Sequence, residues 1–219
     1  VLADADLDRA AAGLVGSSFG NAGQVCVSSS RILAHRSVRD ALVERMAAIA
    51  GGLRPGGTFE EGAGIGPLVT DEHRSRVAAI VEDAVARGAR RVGGAGALPE
   101  AGWFLRPAIL CDVPDDARLA NEEAFGPVTA VEAFDDLDAA IDRANATPYG
   151  LAASVWTERW ADADRAARRL QAGAVYVNCH AYADPSLPLG GLKASGIGVE
   201  GGREGLDAYL KSKTVCAVL

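Results

Sequence analysis

The 219-residue sequence has no pair of cysteines at CxxC spacing; its four cysteines, Cys26, Cys111, Cys179 and Cys216, lie far apart. That excludes the common zinc-ligand spacings and a disulfide framework, and makes a reducing cytoplasm the simplest compartment. No apolar run approaches the roughly 20 residues that a membrane helix requires, so membrane spanning is not expected. Positive charge is in short supply: 22 Lys and Arg against 29 Asp and Glu give a formal net charge of −7. A nucleic-acid partner would need the opposite, a basic patch or stripe, and Arg90-Arg91 and Arg168-Arg169 read only as solvated faces of ordinary elements. The three histidines, His35, His73 and His180, share no metal-ligand spacing, and no metal site is expected. The amino end opens Val1-Leu-Ala-Asp-Ala-Asp6, acidic and unlike a signal peptide; with no initiator Met, the chain reads as part of something longer.

What the chain does contain is enough apolar residue, 49% against 23% charged, to bury a core in one domain or somewhat more. Helical periodicity marks residues 6–19, with Asp4 or Asp6 as cap, and a second helix capped by Ser37 with Leu42, Val43, Met46 and Ile49 inward. The clearest helix is 71–88, where Val77, Ile80, Val81, Ala84 and Val85 form one stripe and Gly88 ends it. An Asp135-capped helix and a helix over 159–172 follow. Strands are expected at 31–35, 91–92, 104–111, 127–134, 151–156 and 174–178, with Pro107 confining part of the third to an edge. The final segment, 213–219, reads as a last strand whose open edge invites pairing with another subunit. Strands alternating with helices predict an α/β fold: an open, mostly parallel twisted sheet with helices on both faces, plus this C-terminal edge strand. Ligands in such folds gather at the carboxyl ends of strands, which draws attention to Asn178-Cys179-His180 and to the glycine-rich stretch from Leu189 to Gly202.

The stretch with most chemistry is Asn21-Ala-Gly-Gln-Val-Cys26-Val-Ser-Ser-Ser-Arg31. Gly20 and Gly23 let backbone approach a ligand, and Gln24 with Ser28–Ser30 keeps the surroundings polar. By local chemistry alone Cys26 is either a small buried side chain or a reactive thiol, since a thiolate nucleophile needs a polar, partly open setting. A Cys26–His180 pair would make a thiol hydrolase. Glu122-Glu123-Ala-Phe125-Gly126-Pro127 is either a loop entering a strand or an acid for ribose hydroxyls beside a ring that packs on a cofactor. Gly196-Ile-Gly198-Val-Glu-Gly201 matches a dinucleotide fingerprint by letters, but no strand leads into it and its glycines read as turn residues.

These segments together resemble the aldehyde dehydrogenase family: NAGQVCVSSSR is similar to its catalytic-cysteine signature, and EEAFGPV, NATPYGLAASVWT, GAVYVN and LPLGGLKASGIGVEGGREGL follow in the family's order over nearly the whole chain. The resemblance implies oxidation of an aldehyde to a carboxylic acid with NAD or NADP, Cys26 being the nucleophile. It places Glu123 and Phe125 at the nicotinamide ribose and ring, and Arg76, with His73, where family members touch the adenosine-side ribose. Val25, Val27 and Leu189 would line the aldehyde pocket, Leu189 standing where a Phe is common, and Glu200 matches a secondary proton acceptor. It also implies a catalytic domain over 1–194, a tail over 195–219 and a homo-oligomer formed through the last strand. Family members carry a Rossmann-like cofactor domain and a general-base glutamate upstream of the region matched here. The chain therefore resembles a catalytic portion, inactive alone as a dehydrogenase. A cofactor-independent thiol esterase, a CoA-acylating relative and a non-catalytic assembly fragment are the alternatives.

Overall fold

A computed structural model describes residues 1–94 and 96–218. Helix α1 (Leu7–Phe19) starts where Asp6 accepts the N–H groups of Asp8 and Arg9, relieving two of the donors a helix start leaves unpaired. Asp4, the other candidate cap, instead accepts from the Thr157 hydroxyl at 2.8 Å. Strand β1 (Arg31–His35) leads into α2 (Arg36–Gly51). The cap of α2 is the His35 ring, which accepts the Ser37 N–H, and Ser37 itself is not the cap; a strand that ends one residue before a helix places its own last side chain over the open amides. Thr70 caps α3 (Asp71–Ala86), which ends two residues short of the expected boundary. Its stripe is Val77, Ile80, Val81 and Ala84; Val85 is exposed, as is Ile49 at the end of α2.

Strands β2 (Arg90–Val92), β3 (Ala108–Cys111) and β4 (Val128–Phe134) complete a four-stranded sheet in the order β1-β4-β3-β2. The β1–β4 and β4–β3 pairings are parallel, and β2 joins antiparallel at the edge. The third strand begins at 108 rather than 104, because the ring of Pro107 removes an amide from the ladder. Consecutive residues 108–111 of β3 and 128–131 of β4 are all buried; successive side chains point to opposite faces, so both faces are covered there. Helices α1 and α2 pack on each other and on β4, while α3 packs on β3 and on the short α4 (Arg118–Asn121). Phe19, Leu42, Met46, Ile80 and Leu110 are fully buried in this core.

A second, smaller layer follows. Helix α5 (Leu137–Asn145) is capped by Asp136, one residue after the expected Asp135; Asp135 is held outside the helix by Arg36 at 2.7 Å. Strand β5 (Tyr149–Gly150) pairs antiparallel with β8 (Leu192–Lys193), and β6 (Ala152–Val155) pairs parallel with β7 (Ala174–Val177). Helix α6 (Trp160–Arg169) lies between β6 and β7 in sequence and is shorter than the expected 159–172. The two layers meet at the first residues: Val1 exchanges backbone bonds with Leu33 and His35 of β1, and the Leu2 N–H donates to Trp156 at 2.9 Å. Helix α7 (Gly202–Asp207) follows the glycine-rich stretch. Residues 213–218 form no strand and are exposed, which corrects the expected terminal strand; a short apolar run such as Val215–Val218 requires a neighbour's amides and carbonyls to become one. Residue 219 lies outside the described residues.

Candidate active site

The thiol of Cys26 is exposed. It sits in a four-residue turn closed by the Ser28 N–H on the Val25 carbonyl at 3.0 Å, between the end of α1 and the start of β1. The exit of the turn is pinned: the buried carbonyl of Ser29 accepts from the hydroxyls of Ser18 and Thr129, both at 2.8 Å, and Ser17 bonds the Ser29 hydroxyl at 2.8 Å. The serines that made the segment look merely polar therefore fix where the cysteine stands. Before the turn, Asn21 and Ala22 both occupy the left-handed region, which an L-residue enters at a cost. Reciprocal bonds between Asn21 and Gln24, at 3.1 Å in each direction, hold that bend.

Across from this turn lies the loop between α4 and β4. The side chain of Glu123 is exposed and Phe125 is 38% exposed, while the carbonyls of three successive residues are drawn onto α3. Arg76 donates to the carbonyls of Glu123 at 3.3 Å and Ala124 at 2.7 Å, and the His73 ring donates to that of Phe125 at 2.7 Å. With Phe125 in the left-handed region at φ 52°, those bonds hold a conformation that the residue would not favour alone. The loop touches the cysteine turn directly: a Cβ built on Gly23 would lie 2.1 Å from the Gly126 carbonyl oxygen. No side chain larger than hydrogen fits there.

An open cavity of about 420 Å³ lies beside Cys26, Val27, Glu123, Ser154, Trp156 and His180. The structure thus brings the expected Cys26, Val27 and Glu123 to one cavity. Val25, Phe125, Arg76 and Leu189 do not line it: Arg76 lies beneath the Glu123 loop, and Leu189 is bonded through its backbone to Glu200, both at 2.8 Å. Glycines 196, 198 and 201 of the fingerprint-like stretch all have positive φ, so they serve turns. The residues are compatible with a nicotinamide cofactor: an exposed carboxylate can accept ribose hydroxyls, and a half-exposed ring on the same rigid loop can pack on a flat group. Among the described residues no cluster of three or more His, Cys, Asp or Glu could hold a metal, and no helix is long and apolar enough to cross a membrane.

His180 has a different place from the one a thiol hydrolase would need. Asn178, in the left-handed region, clasps the backbone of Thr157 with both ends of its amide at 2.9 and 2.8 Å, and two residues later the His180 Nε2 bonds the Val27 carbonyl at 2.6 Å. A carbonyl accepts only, so Nε2 carries the proton, and Nδ1 is buried without a partner. Burial lowers the pKa of His180 below its ordinary 6.5, partly offset by the Val27 bond. The ring is therefore a neutral strut under the residue after Cys26. Because the unfolded chain binds the proton more readily, stability falls as the pH drops below about 6.5. His180→Gln, which keeps a donor without a titration, is expected to remove that component: the loss of stability between pH 7.5 and pH 5.5, read from urea midpoints, should be smaller in the variant than in the wild type.

The model of the aldehyde dehydrogenase family matches residues 1–215. The chain is 41% identical over 215 residues to the mitochondrial aldehyde dehydrogenase of Leishmania tarentolae, covering 98% of this chain and 43% of that protein. It is 39% identical to betaine aldehyde dehydrogenase 2 of Rhizobium meliloti, covering 98% and 45%. Among solved structures, an NAD-dependent aldehyde dehydrogenase from Sinorhizobium meliloti superimposes with a TM-score of 0.91 at 39% identity, over 95% of this chain and 41% of the other. A betaine aldehyde dehydrogenase from Staphylococcus aureus in complex with NAD+ gives 0.91 at 34% identity, over 97% and 43%. The chain spans less than half the length of these relatives. On the match over nearly its whole length, the chain belongs to the aldehyde dehydrogenase family.

Proposed function

We propose that residues 1–219 form the catalytic portion of an NAD(P)-dependent aldehyde dehydrogenase in which Cys26 is the nucleophile. The observation that carries this reading is the exposed Cys26 thiol on a pinned turn, sharing one cavity with Glu123. The Cys26 thiolate attacks the aldehyde carbonyl carbon, forming a C–S bond and an oxyanion; a backbone N–H aimed at that oxygen stabilises it. A nicotinamide, when bound, supplies the hydride acceptor. Collapse of the oxyanion with departure of hydride leaves a thioester on Cys26, and attack by water releases the carboxylic acid and the thiol. Glu123 would orient the ribose and Phe125 would pack on the cofactor, while Val27, which lines the cavity, would contact the aldehyde side chain. NAD is favoured by the NAD-bound relative. The dehydrogenase requires a cofactor-binding module beyond these residues, and the exposed apolar tail, with Val215 and Val218 open to solvent, pairs with a second copy.

The thioester gives the direct test. Rapid quench of the full-length enzyme with NAD and an aliphatic aldehyde is expected to leave an acyl group, revealed by peptide mass, on the peptide containing Cys26 and on no other cysteine. The adduct should be absent without NAD. Acylation confined to Cys179 or Cys216, or none at all during turnover, would remove Cys26 from the mechanism.

A further inference from the structure

We propose that Gln24 is a positioning residue for the hydride-transfer step, setting the separation between the Cys26 thiol and the Glu123–Phe125 loop by way of residues 67–69 and helix α3. The inference rests on the proposed dehydrogenase reading. Both ends of the Gln24 amide are engaged: Oε1 accepts the Val69 N–H at 3.0 Å, and Nε2 donates to the carbonyls of Asn21 at 3.1 Å and Pro67 at 3.4 Å. One side chain, two residues before the nucleophile, thus joins the cysteine turn to the segment that enters α3. Thr70, the next residue, caps that helix by accepting the His73 N–H at 3.1 Å.

One turn further along, α3 presents His73 and Arg76 to the carbonyls of residues 123–125. Gly126, which ends that loop, lies against Val77 of the same helix: a Cβ there would stand 2.7 Å from both Val77 methyl groups. Gly126 in turn meets Gly23. The contacts close a circuit from Gln24 through residues 67–69, α3 and the loop back to Gly23. His73 and Arg76 belong to it as supports of the loop's backbone, a role different from direct contact with a ribose. A circuit of this kind has one purpose in transfer chemistry: it keeps the carbon on sulfur and the acceptor on the loop within reacting distance, where a misplacement of about 1 Å can cost on the order of 10²-fold in rate.

The test uses Gln24→Leu, which removes every bond of the amide, and Gln24→Glu, which keeps the acceptor for Val69 but loses the donor. In the full-length enzyme with NAD and a deuterated aldehyde, Gln24→Leu is expected to lower kcat per titrated thiol by roughly ten- to a hundredfold. The primary deuterium isotope effect on kcat should rise, while iodoacetamide alkylation of Cys26 changes by less than about threefold because the thiol remains exposed. Gln24→Glu should recover part of the rate, and amide exchange at Val69 should quicken in Gln24→Leu far more than in Gln24→Glu. A kcat per thiol equal to wild type, or losses of rate and of alkylation in the same proportion, would overturn the proposal. Aldehyde-dependent NAD reduction that survives loss of Cys26 would instead defeat the reading of Cys26 as the nucleophile, and the Val69 exchange result would still stand on its own.

Discussion

Replacing Cys26 with Ala in the full-length enzyme is expected to lower aldehyde-dependent NAD reduction by on the order of 10³-fold or more, the scale seen when a covalent nucleophile is removed. The structure makes this a clean substitution. The Cys26 side chain is exposed and engages in none of the bonds that hold its turn; those run through Ser17, Ser18, Ser29 and Thr129. Stability should therefore change by less than about 0.5 kcal/mol, as for other surface substitutions. Affinity for NAD should stay within about twofold, because Glu123 and Phe125 are positioned by α3 and not by the thiol. The measurements are kcat, thermal midpoint and a cofactor titration on the same preparations. Full activity in the variant would refute covalent catalysis at Cys26, and loss of folding would show that the thiol supports the turn after all. Cys111 makes the contrast: it is fully buried, and burial raises its thiol pKa. Cys111→Ala should cost stability through lost packing and leave kcat nearly unchanged.

Much of the fold was legible because helices announce themselves locally. Asp6 and the stripe of α1, or Val77, Ile80, Val81 and Ala84 of α3, are enough to place an element, since cap and period act within a few residues of each other. The errors concern what acts from further away. Whether Asp135 or Asp136 caps α5 depends on Arg36, a residue about a hundred positions earlier that takes Asp135 for itself. Residues 213–218 carry a strand's pattern, but the structure offers no strand beside them. Cys26, Glu123 and Phe125 drew attention in the sequence because their residue types are chemically distinctive. The roles of Ser18, Thr129 and Arg76 could not, because their partners are backbone carbonyls. Every residue has a carbonyl, so such a clamp leaves no trace in the letters of the segment it holds. His180 shows the same limit from the other side: proximity to Cys26 suggested a base, and only the Val27 bond reveals a strut.

The substitution Gly23→Ala, one methyl group in size, is expected to be severely damaging. Two costs add. Gly23 lies at φ 72°, where an L-residue is strained by roughly 1–2 kcal/mol. The new methyl would also stand 2.1 Å from the Gly126 carbonyl oxygen, and neither side can yield cheaply: Gly126 is already against Val77, and the cysteine turn is fixed by Ser29 and Gln24. Relief requires the turn and the loop to separate by on the order of 1 Å. Stability should drop by about 2–4 kcal/mol, in line with other changes that combine strain and overpacking. Whatever folds should show kcat reduced by on the order of 10²-fold, because in the proposed reaction that separation lies along the path from the thiol-bound carbon to the nicotinamide. Gly20→Ala serves as the control three residues earlier: nothing lies within 4 Å of its Cβ position, its φ of −53° suits any L-residue, and both measurements should stay near wild type. Equal behaviour of the two variants, in thermal midpoint and in kcat per titrated thiol, would mean that the contact between Gly23 and Gly126 does not hold the two loops in register.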